Sequence, residues 1–89
     1  MKISCVADGN KVALVLYDNN DKVLTKSECE KNFFCENITK MFGEIFNVLQ
    51  KQNYDTDNIK YSVDFDTSKN ITTARIFESF ICGLSLKKQ

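Results

Sequence analysis

The chain has no proline, no histidine and no tryptophan, and its 89 residues include only three glycines. Without histidine, the side chain that most often serves as general base and metal ligand near neutral pH is missing. No Gly-rich phosphate loop, Walker lysine or nucleophile-elbow pattern occurs either, so the usual sequence signs of an enzyme are lacking. With so little glycine and no proline, the turns must rest on Asn and Asp, which tolerate left-handed backbone conformations. Charge of one sign is lacking too: twelve Lys and Arg balance twelve Asp and Glu. There is no global field to hold a polyanion, and Arg75 is the sole arginine, so direct nucleic-acid binding is not expected.

No repeat, low-complexity tract or Pro/Gly-rich linker marks a boundary, and residues 1–89 are expected to form one domain. A chain of this size buries about 60 to 65% of its unfolded surface, which leaves room for a single core. Only a short apolar run precedes Asp8. That is too little for a signal peptide or a membrane span, and a cytoplasmic location is expected. Cys5, Cys29, Cys35 and Cys82 are expected as thiols there. Zinc sites use close cysteine pairs, and even Cys29 and Cys35 stand too far apart for that pattern, so neither a metal nor another cofactor is expected. Asn37-Ile38-Thr39 and Asn70-Ile71-Thr72 match the glycosylation sequon only formally, since no secretory context accompanies them.

What is present is a strong pattern of strands and one helix. Gly9-Asn10 as a two-residue hairpin loop sets Ile3, Cys5 and Ala7 opposite Leu16, Leu14 and Val12 on one wholly apolar face. Slipping by one residue would send every one of these side chains to the other face. The pattern predicts strands over about 2–7 and 11–18 and a third, edge-like strand over 22–26. A three-residue loop at 19–21 would put Leu24 on the core face, whereas a two- or four-residue loop would put Val23 and Thr25 there.

From about Asn32 to Gln52 the period changes. Phe34, Ile38, Met41, Phe42, Ile45, Val48 and Leu49 recur at spacings of three and four and predict one long amphipathic helix. Ser27 with Glu30 fits a capping box, which would start the helix near Glu28. After a polar linker at 53–58, Ile59, Tyr61, Val63 and Phe65 alternate with Lys60, Ser62, Asp64 and Asp66, predicting a half-buried strand. Residues 67–70 read as a turn and 71–77 as a hairpin partner with Ala74 and Ile76 beside Val63 and Tyr61. Residues 78–86 read as either a continuation of that strand with a kink near Cys82-Gly83 or a short helix, the strand being preferred.

The expected fold is therefore α+β, order β-β-β-α-β-β, a mainly antiparallel sheet of five to six strands with the helix packed on one face. The other face would carry Val6, Val15, Tyr17, Ile71 and Phe77, an apolar surface to be covered by a partner, by a second copy in a homodimer, or by the C-terminal segment of the same chain. Asp55, Asp57, Asp64 and Asp66 form a second candidate surface. Carboxylates grouped on one strand and its lead-in can mimic phosphates and engage the basic groove of a nucleic-acid-binding protein.

One further constellation involves Asp8 at a strand end, Glu36 near the start of the helix, and Asp66-Thr67-Ser68 at the end of the next strand. In this order the chain resembles the ribonuclease H-like family, in which acidic residues from two strand ends and a helix bind two divalent metals for phosphodiester hydrolysis. The resemblance implies a metal-dependent nuclease using Asp8, Glu36 and Asp66. The chain departs from it in the tight hairpin after Asp8 and in the hairpin, rather than helix, expected after Asp66. Read from the residues alone, Asp8 and Asp66 are turn formers and Glu36 is a first-turn helix acid. The leading expectation is a non-enzymatic protein-interaction module. Small proline-free proteins of this size without an active site are frequent among phage and mobile-element inhibitors of host machinery, such as anti-CRISPR proteins. The expected role is therefore an inhibitor that binds a host protein or nucleoprotein complex, a class-level expectation that no single residue carries.

Overall fold

The computed structural model describes residues 1–52 and 59–87, with side chains as far as Leu84. Strands β1 (Lys2–Asp8) and β2 (Lys11–Tyr17) form the hairpin in the expected register, Ile3 opposite Leu16, Cys5 opposite Leu14 and Ala7 opposite Val12. Gly9 takes φ 59°, the left-handed conformation that a two-residue loop requires. Ile3, Cys5, Val12, Leu14 and Leu16 are completely buried.

Strand β3 (Val23–Glu30) pairs antiparallel with β2 and is longer than expected. The turn before it is held by Asp18, whose Oδ1 accepts the backbone N–H groups of Asn20 at 2.8 Å and Lys22 at 2.9 Å. Those bonds, the one from Lys22 foremost, hold the Asp18 carboxyl below its ordinary range. Asp21 takes φ 61°, as a proline-free turn built on Asp and Asn demands. A register shift settles the ambiguity of β3. Thr25 faces Leu16 and Val23 faces Tyr17, with Leu24 between them. Leu24 packs against the core and Val23 is 59% exposed.

Because β3 continues to Glu30, the Ser27–Glu30 capping box does not form. Ser27 sits in the strand, and its hydroxyl donates to Glu44 Oε2 on the following helix at 2.9 Å. A 3-10 turn (Lys31–Phe33) leads into helix α1 (Phe34–Lys51), which buries Phe34, Ile38, Met41, Phe42, Ile45 and Leu49 as its period dictates. Gly43 lies on the exposed side of α1, and a Cβ there would meet nothing within 4 Å. Gly43→Ala should therefore raise stability by up to about 1 kcal/mol through reduced backbone entropy alone. A urea midpoint that falls instead would mean the glycine is needed for close approach.

The remainder of the chain differs from expectation. Among the described residues the sheet has four strands in the order β3-β2-β1-β4, and β4 (Lys60–Asp64) pairs with β1 in parallel, Lys2 beside Lys60, Ser4 beside Ser62 and Val6 beside Asp64. The reason is α1. Two antiparallel pairings leave β3 running in the direction of β1, and a helical crossover returns the chain to the starting end, from which the next strand can only run parallel.

Residues 71–87, expected as strand, form helix α2 (Ile71–Lys87). Thr67–Asn70 is a helix lead-in rather than a hairpin turn. Asp66 Oδ1 accepts the backbone N–H of Ser68 at 3.0 Å and its hydroxyl at 2.6 Å, and the Asn70 carbonyl accepts the N–H of Ala74 at 3.0 Å. Thr73, Ala74 and Phe77 are buried, with Ile76, Phe80, Ile81 and Leu84 half-buried, which is helical spacing. These apolar positions spread around more of the helix than those of α1 do, so the amphipathic signal is weak and Ile71-Thr72-Thr73 reads as strand.

Both helices pack on the same sheet face. Phe42 of α1 is the meeting point, with ring centroids at 4.6 Å from Phe80, 6.0 Å from Phe77, 5.8 Å from Phe46 and 6.4 Å from Tyr61. No helix among the described residues is long and apolar enough to cross a membrane.

Candidate interaction surface

Strand alternation fixes what the other sheet face carries. With Ile3, Cys5, Leu14 and Leu16 under the helices, Ser4, Val6 and Asp8 of β1 and Ala13, Val15 and Tyr17 of β2 point the opposite way. Ser62 and Asp64 stand beside them on β4, and Lys26 and Glu28 on β3. Among the described residues no helix lies over this face. Val6, Val15 and Tyr17 thus occupy the open face that the sequence assigned them.

They do not make a bare apolar patch. Ala13 and Val15 are each only 6% exposed although, among the described residues, no helix lies over them. Opposite them on β3 stand Glu28 and Lys26, whose long side chains can shield them. Glu28, opposite Ala13, bridges Lys11 and Lys26 at 3.5 Å each, and these two cations, Lys11 first, hold its carboxyl below the usual range. Lys2 Nζ lies 4.9 Å over the Tyr17 ring. Between these ends, the Ser62 hydroxyl donates to Ser4 Oγ at 3.2 Å. The open face therefore sets a thin apolar strip, Val6, Ala13 and Val15, beside charged side chains.

Ile71 and Phe77 belong elsewhere, because their segment is a helix on the opposite side of the sheet. Phe77 is in the core at 1% exposure, and Ile71, 50% exposed, begins α2. Of the acidic set, Asp55 and Asp57 lie outside the described residues. Asp64 is exposed at the end of β4 on the open face, and Asp66 is exposed in the lead-in to α2. The bonds from Ser68, its hydroxyl first, hold the Asp66 carboxyl below its ordinary range. Asp8, two residues beyond Val6 on the same face, joins Asp64 at this end.

Asp8, Glu36 and Asp66 share one end of the molecule, and the helix after Asp66 removes one departure from the ribonuclease H-like pattern. They are nonetheless separated by the sheet. Asp8 is on the open face, whereas Glu36 is exposed on α1 in the helical layer. No group of three or more His, Cys, Asp or Glu among the described residues could hold a metal ion. The cysteines form no cluster of three or more among the described residues, although Cys29 of β3 stands close enough to Cys5 to add to the rise of its thiol. Cys5 is buried in the core, where burial pushes its thiol up to about 12, and Cys35 and Cys82 are exposed on the two helices.

Sequence reasoning missed a groove between α1 and α2, lined by Cys35, Ile38, Thr72, Arg75, Ile76, Ser79 and Phe80. Its signal, the helical spacing of Ile76, Phe80 and Leu84, was present but was overridden by the β-branched residues at the start of α2. Comparison of this chain with protein-family models, with curated proteins and with solved structures finds no match.

Proposed function

We propose that this chain is a non-enzymatic protein-interaction module that meets its partner with the open sheet face. The observation that carries this reading is that both helices pack on one side, leaving Val6, Val15 and Tyr17 on a face over which, among the described residues, no helix lies. Long charged side chains can swing aside at modest entropic cost, and the strip beside them then offers apolar area to a docking surface. The partner is a protein with a basic surface, of the kind that otherwise holds nucleic acid. It is drawn to the end of the face where Asp8 and Asp64 stand, with Asp66 just beyond.

The test compares the two sides of the molecule. A protein captured on the immobilised chain should lose about tenfold or more in affinity to the pair Val6→Glu and Asp8→Lys, and its binding should weaken as salt is raised. Glu36→Lys, on the helical side, should leave the same affinity unchanged within about twofold. Binding that survives the first variant and fails in the second would assign the contact to the helices and overturn the reading.

A further inference from the structure

Strand β4 ends the sheet, and among the described residues nothing pairs with its outer edge. Its sequence, Lys60-Tyr61-Ser62-Val63-Asp64, is charge-symmetric about Ser62: a cation and an anion stand at opposite ends, two residues from the centre, on the same open face. Among the described residues neither end is satisfied. Lys60 lies beside Lys2, another cation, whose ammonium is engaged by the Tyr17 ring, and neither Lys60 nor Asp64 has an ion-pair partner. The other edge strand differs, because Lys26 and Glu28 of β3 are already bridged at 3.5 Å.

The core points to the same edge. The inward residues of β1 and β2 apart from Ala7 are completely buried, whereas Tyr61, Val63 and Phe65 remain half-buried, as do Ile81 and Leu84 of α2. Among the described residues the hydrophobic layer therefore thins toward the β4 side, as it does at Leu24 and Cys29 of the other edge strand.

We infer that β4 is the contact between two copies of this chain, paired antiparallel about a two-fold axis through Ser62. That pairing sets Lys60 of each copy opposite Asp64 of the other on the open face, Ser62 opposite Ser62, and Tyr61 opposite Val63 on the helical face. Each charge gains one opposite neighbour, the Lys60–Asp64 pair occurring twice by symmetry, and the half-buried apolar row of one copy meets that of the other. A heterologous partner would have to supply the same alternation of charges, which a second copy supplies by construction. The two sheets become one of eight strands, with the open faces of both copies on one side.

Sedimentation of the full chain over a concentration series tests the pairing. The unaltered chain should sediment at twice its own mass. Asp64→Lys, which opposes lysine to lysine, and Lys60→Asp, which opposes aspartate to aspartate, should each be monomeric alone. Mixed in equal amounts, these two variants should form a heterodimer, because each then meets its complement. The double exchange Lys60→Asp with Asp64→Lys should restore a homodimer, so loss of association in the single variants is not mistaken for misfolding. A monomer for the unaltered chain, single variants that still dimerise, or a mixture that stays monomeric would each overturn the pairing.

Discussion

Phe42→Ala is expected to remove about 3–5 kcal/mol of stability, the largest loss from any single truncation in this molecule. The residue is 1% exposed and its ring neighbours come from three elements: Phe46 on α1 itself, Phe77 and Phe80 on α2, and Tyr61 on β4. Beyond the area it buries, each such aromatic pair adds about 0.5–1.5 kcal/mol. The hole left by its removal would sit where α1, α2 and the last strand meet, a place that cannot collapse without shifting a helix. Domains of this size have total stabilities of about 5–15 kcal/mol, so the variant should be marginal at room temperature. Urea unfolding followed by circular dichroism measures the effect, with Phe33→Ala, at a ring that is 48% exposed, as a control costing less than about 0.5 kcal/mol. A loss below about 1 kcal/mol for Phe42→Ala would mean that α2 is not packed on α1 as described.

The second large effect separates two adjacent residues with similar burial. Leu14 is 0% exposed and Val15 is 6% exposed, so an area count alone gives both a substantial cost on truncation. Their covers differ. Leu14 lies under the helices in the core, whereas Val15 faces away from them, with the long side chain of Lys26 opposite it across the strand. Leu14→Ala should cost about 2–5 kcal/mol, because a packed helix cannot follow the vanished atoms. Val15→Ala should cost about 1 kcal/mol or less, because a flexible lysine stem can settle into the space. Denaturation midpoints measured side by side decide the matter. Equal losses would show that the open face is packed as firmly as the core, and that a partner could not reach the apolar strip.

The contrast between Leu14 and Val15 also shows how far the sequence could be read. Hairpin β1–β2 was legible to the residue, since alternation with a Gly-Asn loop admits one register that buries Ile3, Cys5, Leu14 and Leu16 together. Helix α1 was equally clear from its apolar period, and the inward and outward sides of β4 followed from alternation alone. The partner of β4 and the helical state of residues 71–77 escaped, and for residues 78–86 a short helix was the less favoured of two readings. Thr72 and Thr73 favour strand locally, and the apolar residues of α2 are spread too widely around the helix to declare its period. The carboxylates show the same limit. Asp8 and Glu36 are close in order and at one end of the fold, yet they are divided by the thickness of the sheet.

By itself, then, the sequence determined the local periods: which residues of each regular segment turn inward, where Asp and Asn make turns without proline, and that charge is balanced with no histidine to do chemistry. Only the tertiary structure decided that β4 runs parallel beside β1, that the C-terminal segment is helical, and that both helices share one face of the sheet. The division has a physical cause. Periodicity reports which side of an element is apolar, and neighbouring residues suffice to set it. What that side is buried against depends on the crossover through α1 and on packing around Phe42, contacts between residues far apart in the chain.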